Sequence, residues 1–169
     1  MRHGLRVRRR AAAVALLLTV GSLSAMIGLF STLSASYNTY SRDDATAMAW
    51  LREHAQPGEV VANDGSTDAG IWAPYKAGVT ILKPRATSWA PADSVAAILG
   101  NLTRLDAVPE ARAAACALGV EYVYHGASGT AWEPRHFPSA EALRESPALE
   151  EVFASGDAVV FRVRPACSE

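Results

Sequence analysis

The length and charge of the sequence limit the classes of protein that it can encode. Its 169 residues suffice for one domain and an accessory segment, and its net charge is −1. Five of its sixteen basic residues are arginines within residues 1–10, so residues 11–169 carry eleven basic against seventeen acidic side chains. An acidic domain is a poor ligand for nucleic acid, which excludes nucleic acid as its main partner.

The arginine-rich residues 1–10 stand directly before an apolar run. Residues 11–35 contain no charged side chain, and about twenty apolar residues cross a bilayer as a helix. The alternative is a cleavable signal peptide, but signal apolar regions usually span about 7–15 residues, so the length favours an uncleaved anchor. Because basic residues stay inside, the predicted order is a cytoplasmic segment (1–10), a transmembrane helix (11–36) and an extracytoplasmic domain (37–169), with the lipid bilayer as a partner.

A helix is predicted at the start of the outer domain. Ser41 and Asp44 have the spacing of a capping box, in which two side chains three residues apart bond each other's backbone amides. The helix is expected to end near His54. Apolar residues at helical spacing form its predicted inward face: Ala45, Met48 and Leu51.

Residues 58–84 are typical of a strand–helix–strand unit. A short apolar strand (59–62) is followed by a polar turn (63–66), a compact helical segment (68–77) and a second strand (79–82). About a dozen residues between two strands suffice for a crossover that leaves the strands parallel. Open α/β sheets bind ligands beyond the carboxyl ends of their strands, so the polar turn indicates where a site is to be sought.

The remaining sequence continues the alternation of helices and strands. The further predicted elements are helices at 91–105 and 109–118, a strand at 120–124, a glycine-rich loop at 125–129, a short helix after Ser139, and a hairpin of strands at 149–154 and 158–163. This order predicts an α/β fold in which a single transmembrane helix precedes a small layered domain. Its core sheet is expected to be parallel, with a carboxyl-terminal antiparallel hairpin.

Short segments spread over the outer domain carry a family resemblance. They are Trp50–Leu51, Gly58–Ser66, Gly70–Tyr75, Val79–Leu82, Leu118–Tyr124 and Val159–Val163. Together they resemble the carboxyl-terminal extracytoplasmic α/β domain of actinobacterial polytopic membrane proteins, a family of unknown function that looks related to C-type glycosyltransferases. The resemblance implies a place in the cell envelope and a link to glycans or lipid-linked sugars. Catalytic loops between earlier membrane helices are absent from this sequence, so it implies no transferase activity, and the chain is expected to be a terminal fragment or a stand-alone relative.

Polar and aromatic residues gather near the expected carboxyl edge of the sheet. The candidate ligand-binding residues are Asn63, Asp64, Ser66, Asp68, Trp72, Tyr75, Lys83 and His125. The polar groups after the first strand can bond sugar hydroxyls and the aromatic rings can stack on a sugar face, while the lysine and the histidine can bind phosphate or carboxylate. The structural alternative is that the polar residues after the first strand cap a turn before a helix in which Trp72 and Tyr75 are core residues. In this alternative Lys83 and His125 are solvated loop residues.

No metal, cofactor or catalytic residue is predicted. The acids Asp64 and Asp68 could hold a cation, but the loop lacks the glutamate at the twelfth position of an EF-hand. His125, Ser128 and Asp157 have the residue types of a catalytic triad, but nothing in their spacing supports one. The sequence also lacks G-x-S-x-G, H-E-x-x-H and P-loop motifs.

Three functions remain open. The first is a membrane-anchored accessory or binding domain that takes a glycan or lipid-linked sugar, or docks on a polytopic membrane protein. The second is a glycosyltransferase-type or hydrolytic enzyme with its site at the carboxyl edge of the sheet. The third is a structural cap on a membrane protein. An enzyme requires a nucleophile and a base within hydrogen-bond reach, whereas a binding domain requires a polar and aromatic pocket.

The two cysteines, Cys116 and Cys167, predict a disulfide. Both fall in the part expected outside the cytoplasm, where disulfides persist. The bond would close a loop of about fifty residues, stabilise the fold by about 4 kcal/mol in the chain-entropy model, and hold a tail that otherwise frays. The alternative is a buried free Cys116 and an exposed free Cys167.

Overall fold

The computed structural model of the protein describes residues 2–37, 40–65, 68–84, 92–126 and 137–164, together with Cys167. The chain divides into two compact units, Met1–Tyr37 and Asn38–Glu169.

The amino-terminal unit is one helix, α1 (Arg2–Tyr37). Its segment Val14–Ser31 is long and apolar enough to cross a membrane, and signal sequences share this property. The hydroxyl groups of Thr19 and Ser31 donate hydrogen bonds to backbone carbonyls of the preceding turn. Such bonds let hydroxyl side chains occupy a membrane-spanning helix.

The carboxyl-terminal unit opens with α2 (Arg42–His54), which begins with the expected capping box. Ser41 Oγ accepts a hydrogen bond from the Asp44 amide at 3.1 Å, and Asp44 Oδ2 accepts one from the Ser41 amide at 2.7 Å. The buried face of the helix consists of Asp44, Ala47, Met48 and Leu51. The prediction of Ala45 on this face is wrong, because the buried carboxyl group of Asp44 bonds the sheet and Ala45 is exposed.

Five strands form one mixed sheet in the order β2-β1-β3-β5-β4. They are β1 (Val60–Ala62), β2 (Thr80–Ile81), β3 (Val120–His125), β4 (Leu149–Ser155) and β5 (Ala158–Val163). β1 pairs in parallel with β2 and β3, whereas β5 pairs antiparallel with β3 and β4. The predicted fold class is confirmed. One boundary differs, since His125 was expected in a loop but pairs with Val159 and so ends β3.

Helices cover both faces of the sheet. They are α2, a 3-10 helix (Ala69–Trp72) that continues into α3 (Ala73–Lys76), α4 (Asp93–Gly100), a second 3-10 helix (Leu102–Arg104), α5 (Pro109–Ala117) and α6 (Ala140–Arg144). Two cores result. One lies between the sheet and the helices α4, α5 and α6, and the other between the sheet and α2, the first 3-10 helix and α3. Alternate residues of β3 serve the two cores, with Val123 in the first and Tyr124 in the second.

The helix predicted over residues 91–105 is shorter in the structure. α4 ends at Gly100, and Asn101 leaves the helical region of backbone space before the second 3-10 helix begins. The Asn101 side chain donates a hydrogen bond to the Ala97 carbonyl at 2.8 Å and so satisfies the end of α4. Glycine next to asparagine therefore ends the helix.

A disulfide joins Cys116 of α5 to Cys167, which follows β5. Their Cα atoms lie 5.2 Å apart, and 51 residues separate them in sequence. Before the bond, the Arg164 amide donates to the Ala148 carbonyl at 2.6 Å. The disulfide therefore fastens the end of the chain to a helix of the first core.

Candidate functional site

Asn63 follows β1 directly and is fully buried. Its Nδ2 donates a hydrogen bond to the Lys83 carbonyl at 2.8 Å, and its Oδ1 accepts one from the Lys83 amide at 2.9 Å. The side-chain amide thus pairs with the backbone of Lys83 in the way that a strand residue does, two residues beyond the end of β2. Both of its bonding groups are used in holding the turn.

Asp68 is also fully buried, and its carboxyl group joins two turns. Oδ1 accepts a hydrogen bond from the Gly70 amide at 2.8 Å and thereby caps the first 3-10 helix. Oδ2 accepts one from the Gly126 amide, 58 residues further along, at 2.9 Å. A Cβ atom on Gly126 would lie 2.7 Å from Asp68 Cβ, so the contact requires glycine. Asp68 therefore locks the end of β3 to the helix that follows β1.

The other candidates after β1 and β2 lie close to this lock. Asp64 is 3% exposed. Gly65 has a φ of +74°, and a Cβ there would lie 2.6 Å from Lys83 Cγ, so the lysine stem packs on the glycine. Lys83 itself is half-buried. Ser66 lies outside the described residues. The structural alternative, a capped turn, thus describes Asn63 and Asp68 well.

The two aromatic candidates are on the surface. Trp72 is 44% exposed and Tyr75 is 82% exposed, so the alternative that made them core residues is wrong. Trp72 ends the first 3-10 helix and Tyr75 lies in α3. The small residues Ala69, Gly70 and Ala73 form the buried side of these two helices, so the aromatic side chains are on the exposed side. The candidates predicted as one cluster therefore divide into a buried polar lock and an exposed aromatic pair.

A cleft of about 490 Å³ opens at the carboxyl end of β3. Its described lining consists of His125, Phe137, Ser139, Ala140, Glu141, Arg144, Gly156, Asp157 and Val159. Small-molecule sites commonly measure about 300–1,000 Å³. Of the predicted candidates, His125 alone appears in this lining. The others come from α6 and from the β4–β5 turn, which the antiparallel pairing of β3 with β5 brings to the same edge.

Hydrogen bonds and an ion pair hold the cleft lining in place. Ser139 Oγ accepts a hydrogen bond from the Ala142 amide at 3.2 Å and caps α6. Arg144 Nε donates to Glu151 Oε2 of β4 at 2.6 Å. These contacts orient a hydroxyl and a guanidinium group that line the cleft.

The turn at the other side of the cleft is fixed by α2. Ser155 Oγ donates a hydrogen bond to Asp43 Oδ1 at 3.1 Å. A side chain on Gly156 would collide with the same carboxyl group, so the turn fits closely against the helix. Asp157, the next residue, is thereby placed at the cleft edge.

One buried tyrosine supports both the sheet and α2. Tyr124 is fully buried, and its hydroxyl donates a hydrogen bond of 2.5 Å to Asp44 Oδ1. Burial, followed by the charge of Asp44 and this hydrogen bond, raises the pKa of Tyr124 well above its ordinary value. The hydroxyl therefore stays protonated and acts as a permanent donor.

Metal-ligating side chains do not cluster in the described part of the chain. Among those residues, no group of three or more histidine, cysteine, aspartate or glutamate side chains could hold an ion.

The fold and the cleft define a layered α/β domain that follows one apolar helix and has a polar pocket at its sheet edge. The chain belongs to a family of unknown function, DUF6541, whose model matches residues 2–165. No curated protein matches the sequence. Among solved structures, the chain is similar to the crystal structure of the C-terminal globular domain of an oligosaccharyltransferase from Archaeoglobus fulgidus. The TM-score is 0.48 and the identity 18%, over 74% of this chain and 99% of that one.

Proposed function

We propose that the protein is a membrane-anchored extracytoplasmic binding domain whose cleft takes a glycan or the sugar of a lipid-linked precursor. The observation that carries the proposal is the cleft at the carboxyl end of β3, lined by hydrogen-bonding side chains of both charges. This is the place where open α/β sheets bind ligands. The same binding would suit an accessory domain that works beside a polytopic membrane protein.

The chemistry of the lining matches a ligand rich in hydroxyl groups. A sugar hydroxyl both donates and accepts hydrogen bonds. The carboxyl groups of Glu141 and Asp157 accept, the guanidinium of Arg144 donates, and Ser139 Oγ can do either. Phe137 also lines the cleft but is only 7% exposed, so it contributes a small apolar patch. Donors and acceptors gathered in one cleft therefore support a carbohydrate.

The described residues favour binding over catalysis. The two cysteines form a disulfide, and the Ser139 hydroxyl that lines the cleft serves as a helix cap. The carboxyl groups of Asp44 and Asp68 hold secondary structure together. These groups are engaged in structural bonds, which leaves Glu141, Asp157 and His125 as the further acid–base side chains of the described lining. Binding uses such groups as hydrogen-bond partners and needs no activated nucleophile among them.

Membrane anchoring is supported by the apolar segment of α1 and by the arginines at the start of the chain. Its segment Val14–Ser31 has the length and composition of a bilayer span. The five arginines within residues 1–10 favour a cytoplasmic amino terminus and an outer carboxyl-terminal unit. Protease digestion of intact cells tests this topology. Cleavage of the outer unit is expected, and a unit that is cut only after the membrane is broken would contradict it.

Binding is tested with the full chain in detergent and a panel of soluble oligosaccharides. Glu141→Ala and Asp157→Ala each remove an acceptor from the cleft, and each is expected to weaken the strongest interaction about tenfold, or about 1.4 kcal/mol. Glu145→Ala is the matched control, because Glu145 is an exposed carboxyl group at the end of α6 outside the described lining.

The control should bind as the wild-type chain does. If no oligosaccharide binds, or if both cleft variants bind as tightly as the control, the proposed function is wrong. Circular dichroism of every variant separates loss of binding from loss of folding.

A further inference from the structure

An aromatic and basic surface lies near the start of the carboxyl-terminal unit. It consists of Tyr40, Arg52, Trp72, Tyr75 and Lys76, and is called the aromatic–basic surface below. Lys76 Nζ lies 5.1 Å from the ring centre of Tyr40 and 5.3 Å from that of Tyr75. Trp72, Tyr75 and Lys76 are neighbours at helical spacing, and all three are exposed. The lysine thus joins the helical residues to Tyr40.

A second cation lies close to Tyr40. Burial first, and then the charge of Asp44, raise the pKa of Tyr40, while the positive charge of Arg52 acts in the opposite direction. Arg52 is exposed. The charges of Arg52 and Lys76 therefore both act near Tyr40, and Lys76 lies over its ring.

The composition of this surface is that of a membrane interface. Tryptophan and tyrosine are enriched at the headgroup level of bilayers because each has an apolar ring with a polar edge. Lysine and arginine near that level attract anionic lipid. Trp72 is 44% exposed and Tyr75 is 82% exposed, so the two side chains leave a large aromatic area in contact with water.

The covalent chain limits how far this surface can lie from a membrane. α1 ends at Tyr37, and three residues further on the chain reaches Tyr40. An extended chain spans at most about 3.6 Å per residue, so this step covers about 11 Å. Nine positions separate Ser31, where the apolar segment of α1 ends, from Tyr40, so a membrane that holds this segment is close to Tyr40 along the chain.

We propose that the aromatic–basic surface lies on the headgroup layer of the membrane that holds α1, with anionic lipid as the partner of Arg52 and Lys76. The inference rests on the membrane anchoring proposed above. Contact through a tryptophan, two tyrosines and two cations would hold the outer unit in one orientation on the membrane.

The test uses the full chain in vesicles of phosphatidylcholine and phosphatidylglycerol in equal amounts, with or without bromine near the headgroup end of the acyl chains. Bromine quenches the fluorescence of tryptophans that reach it. Quenching by brominated lipid is expected in the wild-type chain, and Trp72→Phe should lose most of it. Trp50→Phe is the matched control, because Trp50 stacks on His54 and Phe153 within the fold. This control should keep the quenching.

A charge variant examines the lipid partner. Lys76→Glu changes an exposed side chain, so the fold should be kept. It is expected to reduce the quenching of Trp72 in anionic vesicles and to abolish the effect of added salt on that quenching. Equal quenching in Lys76→Glu and wild-type chains would overturn the role of anionic lipid.

Flotation of the vesicles distinguishes the two proposals. Chains that do not float with the vesicles would overturn the membrane anchoring and this inference together. If wild-type and Trp72→Phe chains both float and show the same quenching, this inference alone is overturned. That result would point to a protein partner or a second copy of the chain on the aromatic–basic surface.

Discussion

The hydrogen bond between Tyr124 and Asp44 tests how α2 is held against the sheet of the carboxyl-terminal unit. The two residues lie 80 positions apart, are fully buried and join β3 to α2. Tyr124→Phe removes the hydroxyl and leaves the ring. Losing a hydrogen bond to a charged group costs about 1.5–3 kcal/mol. We therefore expect a loss of about 2 kcal/mol, a large share of the roughly 5–15 kcal/mol typical of a domain.

Urea unfolding of the full chain in detergent, followed by tryptophan fluorescence, measures this loss. The midpoint should fall while the slope of the transition is unchanged. A double-mutant cycle with Asp44→Ala should show a coupling energy of about 1 kcal/mol or more, because each substitution removes one partner of the same bond. Additive effects, or a Tyr124→Phe variant within about 0.5 kcal/mol of wild type, would refute the reasoning.

Alkaline pH gives an independent measure of the same tyrosine. Tyrosine in the unfolded chain ionises near its ordinary pKa of 10.0, whereas the pKa of folded Tyr124 is raised well above that value. Above pH 10 the unfolded state therefore holds fewer protons than the native state, and stability falls by about 1.4 kcal/mol per pH unit. Below pH 10 the contribution is present in full. Tyr124→Phe should flatten this decline, and an unchanged slope between pH 10 and 11 would contradict the assignment.

Two further predictions concern the contributions of the disulfide and of a close-packed glycine to the free energy of unfolding. Replacing Cys116 and Cys167 together by alanine is expected to lower the free energy of unfolding by about 4 kcal/mol, which is the chain-entropy value for a loop of this size. Urea titrations measure this change. A loss below about 1 kcal/mol would show that the disulfide contributes little to stability. Gly126→Ala should destabilise by about 1–3 kcal/mol, because its methyl group would meet Asp68. Gly100→Ala, where nothing lies within 4 Å, should leave stability unchanged or raise it by up to about 1 kcal/mol in the same assay.

Local patterns in the sequence predicted much of the fold. Ser41 and Asp44 specify the start of α2 because the capping box needs only residues three apart. The alternation of helical and strand segments specified the parallel core and the closing hairpin, since crossovers and hairpins depend on nearby residues. Interactions between distant residues were less accessible. The pairing that carries β3 through His125 involves Val159 of β5, which no local pattern in the chain reveals.

The same limit explains the candidate site. Asp68 reads in sequence as a loop acid, but its partner Gly126 is 58 residues away, and that bond decides its role. Glu141 and Asp157 line the cleft only because β5 lies beside β3. The short helix after Ser139 and the hairpin turn were each predicted from local sequence patterns. Their meeting at one edge follows from sheet order, which the sequence pattern leaves open.

The oxidation state of Cys116 and Cys167 reports the compartment in which the chain folded. Thiols stay reduced in most cytoplasmic compartments and are oxidised outside them. A sample that is taken from its native membrane and trapped at once with a thiol reagent would therefore reveal, by mass alone, on which side of the membrane its carboxyl-terminal unit folded. A mixture of oxidised and reduced chains would indicate that only part of the population had folded in an oxidising compartment.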